Sequence, residues 1–104
     1  MSRNEAAVEA EIQAKGLNAT RLNPAHIDGQ IAAEQYHVFD GTALTVCALT
    51  LKNGFQVVGK SAPASSANFD AELGKKIARD DARNQIWALE GYRLRSHLAG
   101  HSGF

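Results

Sequence analysis

The chain has 104 residues, 44% of them hydrophobic and 21% charged, and its eleven basic and eleven acidic side chains cancel to zero formal charge. That length admits one domain with a single modest core, and the composition is that of a globular chain rather than a disordered one. A neutral chain has no global field to hold polymeric nucleic acid or an anionic membrane, so any anion site must be a local cluster. The lone Cys47 excludes an internal disulfide, which fits a reducing cytoplasm. The N-terminus M-S-R-N-E-A-A-V-E-A-E lacks a signal-peptide core. No run approaches the ~18 apolar residues of a membrane span.

In chain order, Asn4 to Lys15 reads as a helix with Asn4 as N-cap, Glu5 in the first turn and Gly16 as the stop. Its only large apolar residues, Val8 and Ile12, make a narrow stripe suited to a peripheral or partner-packing helix. Leu17 to Asn23 is a connector. Asn23-Pro24 opens a second helix, with Ile27 and Ile31 sharing a face and Gly29 inside it. Tyr36, Val38 and Phe39 switch the chain to strand character, and Asp40-Gly41 turns it into the long strand of a hairpin.

That hairpin, Ala43 to Ser61, carries Asn53-Gly54 between two apolar, β-branched runs, a strong signal for a type I′ turn. A two-residue turn there sets Lys52 against Phe55, Leu49 against Val58, Ala48 against Gly59 and Cys47 against Lys60. One face then holds Leu44, Val46, Ala48, Phe55 and Val57, and the other holds Cys47, Leu49, Leu51 and Val58. Both faces are apolar enough to need cover, from helices or from a second subunit.

After the small-residue loop A-P-A-S-S-A, Asn68 caps a third helix starting near Phe69, with an apolar stripe of Phe69, Leu73, Ile77, Ala78, Ala82 and Ile86. Trp87 and Leu89 end this helix or carry it through a kink. Tyr92, Leu94 and Leu98 suit a short last helix after Gly91, and the tail beyond is frayed. The expected fold is one α+β domain over residues 1–104. It comprises a helical part (1–35), an antiparallel β-meander (36–61), C-terminal helices (68–98) and a tail (99–104), with the sheet also buried in a homo-oligomer interface.

Chemical motifs are few. Gly54 to Ser61 matches G-x-x-x-x-G-K-S, but a phosphate loop must lead into a helix, and here the intervening residues are strand formers followed by Ala62-Pro63. His97 and His101 lack a third ligand at metal spacing, so neither a metal nor a cofactor is expected. Cys47 has no cationic neighbour in sequence to lower its pKa, and Asp80-Asp81 reads as two solvated carboxylates. The constellation of most interest is Asn68 and Phe69 at a helix start, with Lys75, Lys76, Arg79 and Arg83 on the helix that follows. Amides, a ring and guanidiniums together can hold a phosphorylated base, although a core Phe69 and a solvated cationic face explain the same residues.

The blocks N-G-F-Q-V-V-G-K-S-A, N-F-D-A-E-L-G-K-K-I-A-R-D-D-A and I-W-A-L-E-G-Y-R-L, spanning Tyr36 to Leu98, resemble the gene-49/gene-66 family of small bacteriophage proteins. The family pattern has an acidic residue at Lys60, a Cys near Pro63 and a Pro at Ala88, so this chain departs from it at three places. The anti-Thoeris phage proteins resemble the same family. They are sponges that hold cyclic ADP-ribose signals, and in some cases cyclic oligonucleotides, without cleaving them. The resemblance implies a non-enzymatic protein in the host bacterial cytoplasm, assembled as a homodimer or higher symmetric oligomer. It implies ligand contacts from Phe69 or Phe55 for base stacking, Asn68 for a base edge or ribose, and Arg79 and Arg83 for phosphates. The competing reading is a small phage regulator or inhibitor of a host protein, using the sheet and the Arg93/Arg95 helix and holding no small molecule. A nucleotide hydrolase is the weakest reading, because no base, nucleophile or metal cluster stands at usable spacing.

Overall fold

The computed structural model describes residues 4–16 and 21–100. The connector residues Leu17 to Thr20 and the tail beyond Gly100, with His101, lie outside the described residues. The order is α1 (Glu5–Ala14), α2 (Pro24–Gly29), β1 (Ile31–Val38), β2 (Thr45–Leu51), β3 (Gln56–Ser61), a 3-10 turn (Ser66–Asn68) and α3 (Ala71–Leu98). The strands form an antiparallel sheet in the order β1-β2-β3, so the fold is the expected α+β meander with helices before and after it.

The first two helix starts are set by their caps. The Asn4 side chain accepts the Ala7 N–H at 3.3 Å, and Asn23 accepts the His26 N–H at 2.8 Å ahead of Pro24. The second helix is shorter than its sequence suggests. It stops at Gly29, and Ile31 begins β1 rather than sharing a helical face with Ile27. The reason is pairing: the Gln30 carbonyl accepts the Lys52 N–H at 2.9 Å and Ile31 pairs with Leu51, which recruits residues 31–35 into the sheet.

The hairpin forms at Asn53-Gly54, but its register differs by one residue from a type I′ turn. Only Gly54 has positive φ (89°), and the Leu51 N–H donates to the Phe55 carbonyl at 2.8 Å across a three-residue loop. The Phe55 N–H donates to Asn53 Oδ1 at 3.0 Å, so the asparagine serves the turn through its side chain. Leu49 therefore faces Val57, Ala48 faces Val58 and Cys47 faces Gly59. One residue of slip exchanges Val57 and Val58 between faces. Thr45, Cys47, Leu49, Leu51, Val57, Gly59 and Ser61 are buried beneath α3, while Val46, Ala48, Thr50, Val58 and Lys60 line the other side of the sheet.

α3 is a single helix of 28 residues, roughly 42 Å at 1.5 Å per residue, and runs through Trp87 and Gly91 without a second start. Its N-cap is Asp70, whose side chain accepts the Leu73 N–H at 3.0 Å, whereas Asn68 closes the preceding 3-10 turn. Its buried row is Gly74, Ala78, Ala82, Ile86 and Glu90, at intervals of four, with Arg83 beside it. Leu73 and Ile77, expected in the apolar stripe, are 53% and 47% exposed. The helix is turned this way because its small-residue row meets Gly59. A Cβ on Gly59 would lie 2.2 Å from both the Ala78 carbonyl oxygen and the Ala82 nitrogen. Ile27, Cys47, Leu49, Leu51, Val57, Ala78, Ala82 and Ile86 form the core.

Two glycines separate this contact from ordinary helix propensity. Gly59→Ala forces α3 off the sheet and should cost about 2–3 kcal/mol in urea unfolding. Gly91→Ala, with open space around its Cβ position, should stabilise by up to ~1 kcal/mol. Equal effects of the two substitutions would contradict the packing described.

Candidate functional site

Among the described residues, several concave surfaces flank α3. The first, about 670 Å³, is lined by Lys60 of β3 and by Leu73, Lys76, Ile77, Arg79, Asp80 and Asp81 of α3. Residues three and four apart on a helix share a face, which groups Leu73, Lys76, Ile77 and Asp80. Lys60 arrives because β3 is an edge strand whose even-numbered residues direct their backbone groups away from β2. The Asp81 carboxylate accepts the Lys60 N–H at 2.9 Å, and Gln85 Nε2 donates to the Val58 carbonyl. These two side chains, one helical turn apart, cap the strand edge and fix α3 along it.

Arg79 donates from Nε to Glu34 Oε2 at 2.9 Å, and the Tyr36 hydroxyl donates to Glu34 Oε1 at 2.9 Å. The Arg79 hydrogen bond foremost, and that of Tyr36, hold the Glu34 carboxyl below the usual carboxylate range. Burial foremost, aided by Glu34, pushes the Tyr36 phenol up. Lys75 Nζ stands 5.8 Å from the Tyr36 ring centroid. Burial likewise raises the Cys47 thiol, which lies in the core and not at any of these surfaces.

The second concavity, about 720 Å³, lies among α1, α2 and α3 and includes Glu5, Pro24, Asp80 and Arg83. Arg83 is 8% exposed. It donates from Nε to Asp28 Oδ1 at 2.7 Å, from Nη1 to Glu5 Oε1, and from Nη2 to the Pro24 carbonyl at 3.4 Å. Burial opposes its charge, but the two carboxylates outweigh burial and its pKa rises. Trp87 Nε1 donates to the same Glu5 oxygen at 3.0 Å. The third concavity, about 550 Å³, runs between β3 and the second half of α3 and is lined mainly by Phe55, Val58, Ala88, Leu89 and Tyr92.

The five residues singled out from sequence do not converge. Arg79 lines the first concavity, Arg83 the second and Phe55 the third. Asn68 and Phe69 line none of these three, and Phe69 packs towards Gly74 at the start of α3. Lys76, in the cationic row of α3 noted in the sequence, lines the first concavity together with Lys60, which the sequence did not single out as a site residue. The signal for Lys60 lay inside the phosphate-loop match, where strand pairing rather than loop geometry places it. Among the described residues no group of three or more His, Cys, Asp or Glu is placed to hold a metal ion, and no helix is long and apolar enough to cross a membrane.

Glu90, 8% exposed, closes the other end of the molecule. It accepts from Arg93 at 2.8 and 3.0 Å and shares a 2.7 Å hydrogen bond with His26 Nε2. Arg93 foremost, against the opposing effect of burial, and then His26 hold its carboxyl low.

A three-stranded antiparallel meander braced by one long helix, with polar clusters on its flanks, defines the class: a small α+β domain. The chain belongs to the Phage protein (N4 Gp49/phage Sf6 gene 66) family, whose model matches residues 22–98. That segment holds both strand edges and all of α3, and leaves α1 outside. No curated protein and no solved structure matches the chain.

The two arginines should behave differently. Arg83→Ala strands the Glu5 and Asp28 carboxylates and should cost about 2–4 kcal/mol of stability, whereas Arg79→Ala, at a half-exposed pair, should cost at most ~1 kcal/mol. Glu90 has a pKa depressed in the folded state. Its stabilising contribution is therefore complete above the ordinary value of 4.5 and is lost as pH falls through the lower folded value. Glu90→Gln should accordingly lose less stability than the native chain between pH 6 and about pH 3 in denaturant titrations.

Proposed function

We propose that this protein captures and sequesters a cyclic ADP-ribose-type or cyclic oligonucleotide signal of bacterial defence, without cleaving it. The observation that carries the reading is the first concavity. Two cations of α3, Lys76 and Arg79, stand with the exposed apolar residues Leu73 and Ile77 around a space of about 670 Å³ that Lys60 of the β3 edge also lines, within the range of small-ligand sites. Apolar surface accepts a base or ribose, the lysines neutralise phosphate charge, and a guanidinium gives bidentate contacts. Asp80 and Asp81 stand at the same surface, and the Asp81 carboxylate is engaged by the Lys60 N–H. Family membership supports the phage context.

In this reading Arg79 is the principal phosphate contact. Phe69, one turn before Leu73, supplies stacking, and Asn68 beside it supplies an amide. Phe55 serves only where a second copy of the chain brings its hairpin tip to the site. The open sheet side bearing Val46, Ala48 and Val58 is the surface for self-assembly into a dimer or higher symmetric oligomer. The alternative, regulation of a host protein without a small ligand, draws its support from the third concavity, where Tyr92 is 78% exposed beside Phe55, Val58 and Leu89.

The test is capture. The purified chain is incubated with cyclic ADP-ribose isomers and cyclic di- and trinucleotides, washed and denatured, and the released material is identified by mass spectrometry. Intact recovery of one class is expected, and Arg79→Ala and Lys76→Ala should each weaken its binding by about 10- to 100-fold. A cleaved product would make the protein an enzyme. Recovery of nothing would overturn the sponge reading and leave the host-protein regulator.

A further inference from the structure

The Arg83 cluster has an unusual composition. Arg83 and Trp87, one turn apart on α3, aim a guanidinium Nη1 and an indole N–H at the same oxygen, Oε1 of Glu5. Both donors belong to the family-matched segment 22–98, but the acceptor comes from α1, which lies outside it. α1 is otherwise lightly held. Among the described residues it buries none, its Val8 is 47% exposed, and the Glu9–Arg21 pair at 2.8 Å is a further tie to the domain. A carboxylate on a weakly packed arm therefore fills a two-donor oxyanion position built by the domain itself.

We infer that Arg83 and Trp87 form an anion cradle in which Glu5 stands in for a ligand, and that α1 is a strap whose displacement admits a singly charged phosphodiester. The ligand's charge follows from Asp28, which already holds Arg83 Nε at 2.7 Å. With Glu5 in place the guanidinium is flanked by two carboxylates. Exchanging Glu5 for another monoanion preserves that balance, whereas a dianion would add a negative charge beside Asp28 and Asp80 around a guanidinium that is itself buried. Carboxylates and phosphodiesters both satisfy the charge rule. The adjoining space of about 720 Å³ suits a ligand larger than a lone carboxylate, and the choice of phosphodiester rests on the nucleotide-capture reading above.

Trp87 is the only tryptophan, so its emission reports on the cradle directly. The 104-residue chain and its Glu5→Ala variant would be titrated with 3′,5′-cyclic AMP (one phosphodiester charge), 5′-AMP (a dianionic monoester) and acetate, with far-UV circular dichroism as the check on folding. Glu5→Ala should bind cyclic AMP at least tenfold more tightly than the native chain, and more tightly than it binds 5′-AMP. Adding Arg83→Lys, or Trp87→Phe read by calorimetry, should abolish the gain. Equal cyclic AMP affinity in native and Glu5→Ala chains, including no binding by either, would overturn the strap. A preference for 5′-AMP would overturn the charge rule, and acetate binding as tightly as cyclic AMP would overturn the phosphodiester assignment. The capture experiment fails separately. A tenfold gain with nothing recovered from the signal panel would uphold the cradle and remove the defence-signal reading.

Discussion

The close approach of α3 to β3 at Gly59 is the contact on which the remaining structure depends. There is no room for a side chain between the strand and the Ala78–Ala82 turn, so the helix axis is fixed in both height and rotation. Once Gly74, Ala78, Ala82 and Ile86 face the sheet, the other positions of the helix have no freedom. Asp81 and Gln85 fall against the β3 edge, Arg83 and Trp87 turn towards α1 and α2, and Leu73 and Ile77 are left outside with Lys76. An apolar core this small gains from such intimacy, since van der Waals contact and burial rise together as the backbones approach.

Polar contacts then assign each flank its part. The β3 edge is closed by side chains rather than by another strand, which removes it as a template for aggregation. Arg79 and Glu34 tie the helix to β1, and Glu90 gathers His26 and Arg93 where α2 meets the later half of α3. Each of these links joins α3 to a different part of the chain. The helix is therefore the common partner of both strand edges and both N-terminal helices, and its outward residues inherit a fixed geometry.

Much of this was legible in the residues. Asn4, Asn23-Pro24 and the Asn53-Gly54 turn announced themselves through local chemistry, and local chemistry decided them. What escaped was decided partly by a finer local choice and partly at longer range. The hairpin register turned on whether Asn53 would take positive φ. It does not, because its side chain serves the Phe55 N–H instead, and that single choice moved Val57 into the core. Ala78, Ala82 and Ile86 of the expected α3 stripe do face the sheet, whereas Leu73 and Ile77 do not, because Gly74 joins that row of small residues and the row's value depends on a glycine in a distant strand. Gly91 failed to break the helix because nothing crowds it and no competing cap follows. Arg83 looked like a free phosphate ligand because its partners Glu5 and Asp28 lie far away in sequence.

The outward face of α3, set by the Gly59 contact, is the proposed binding surface. Nitrogen–proton correlation spectra of the chain with the captured nucleotide would test it most directly, by mapping which amides shift on binding. The account predicts that the largest shifts cluster at Lys60, Leu73, Lys76, Ile77 and Arg79. Shifts concentrated instead at Phe55, Leu89 and Tyr92, with the α3 face unmoved, would contradict it.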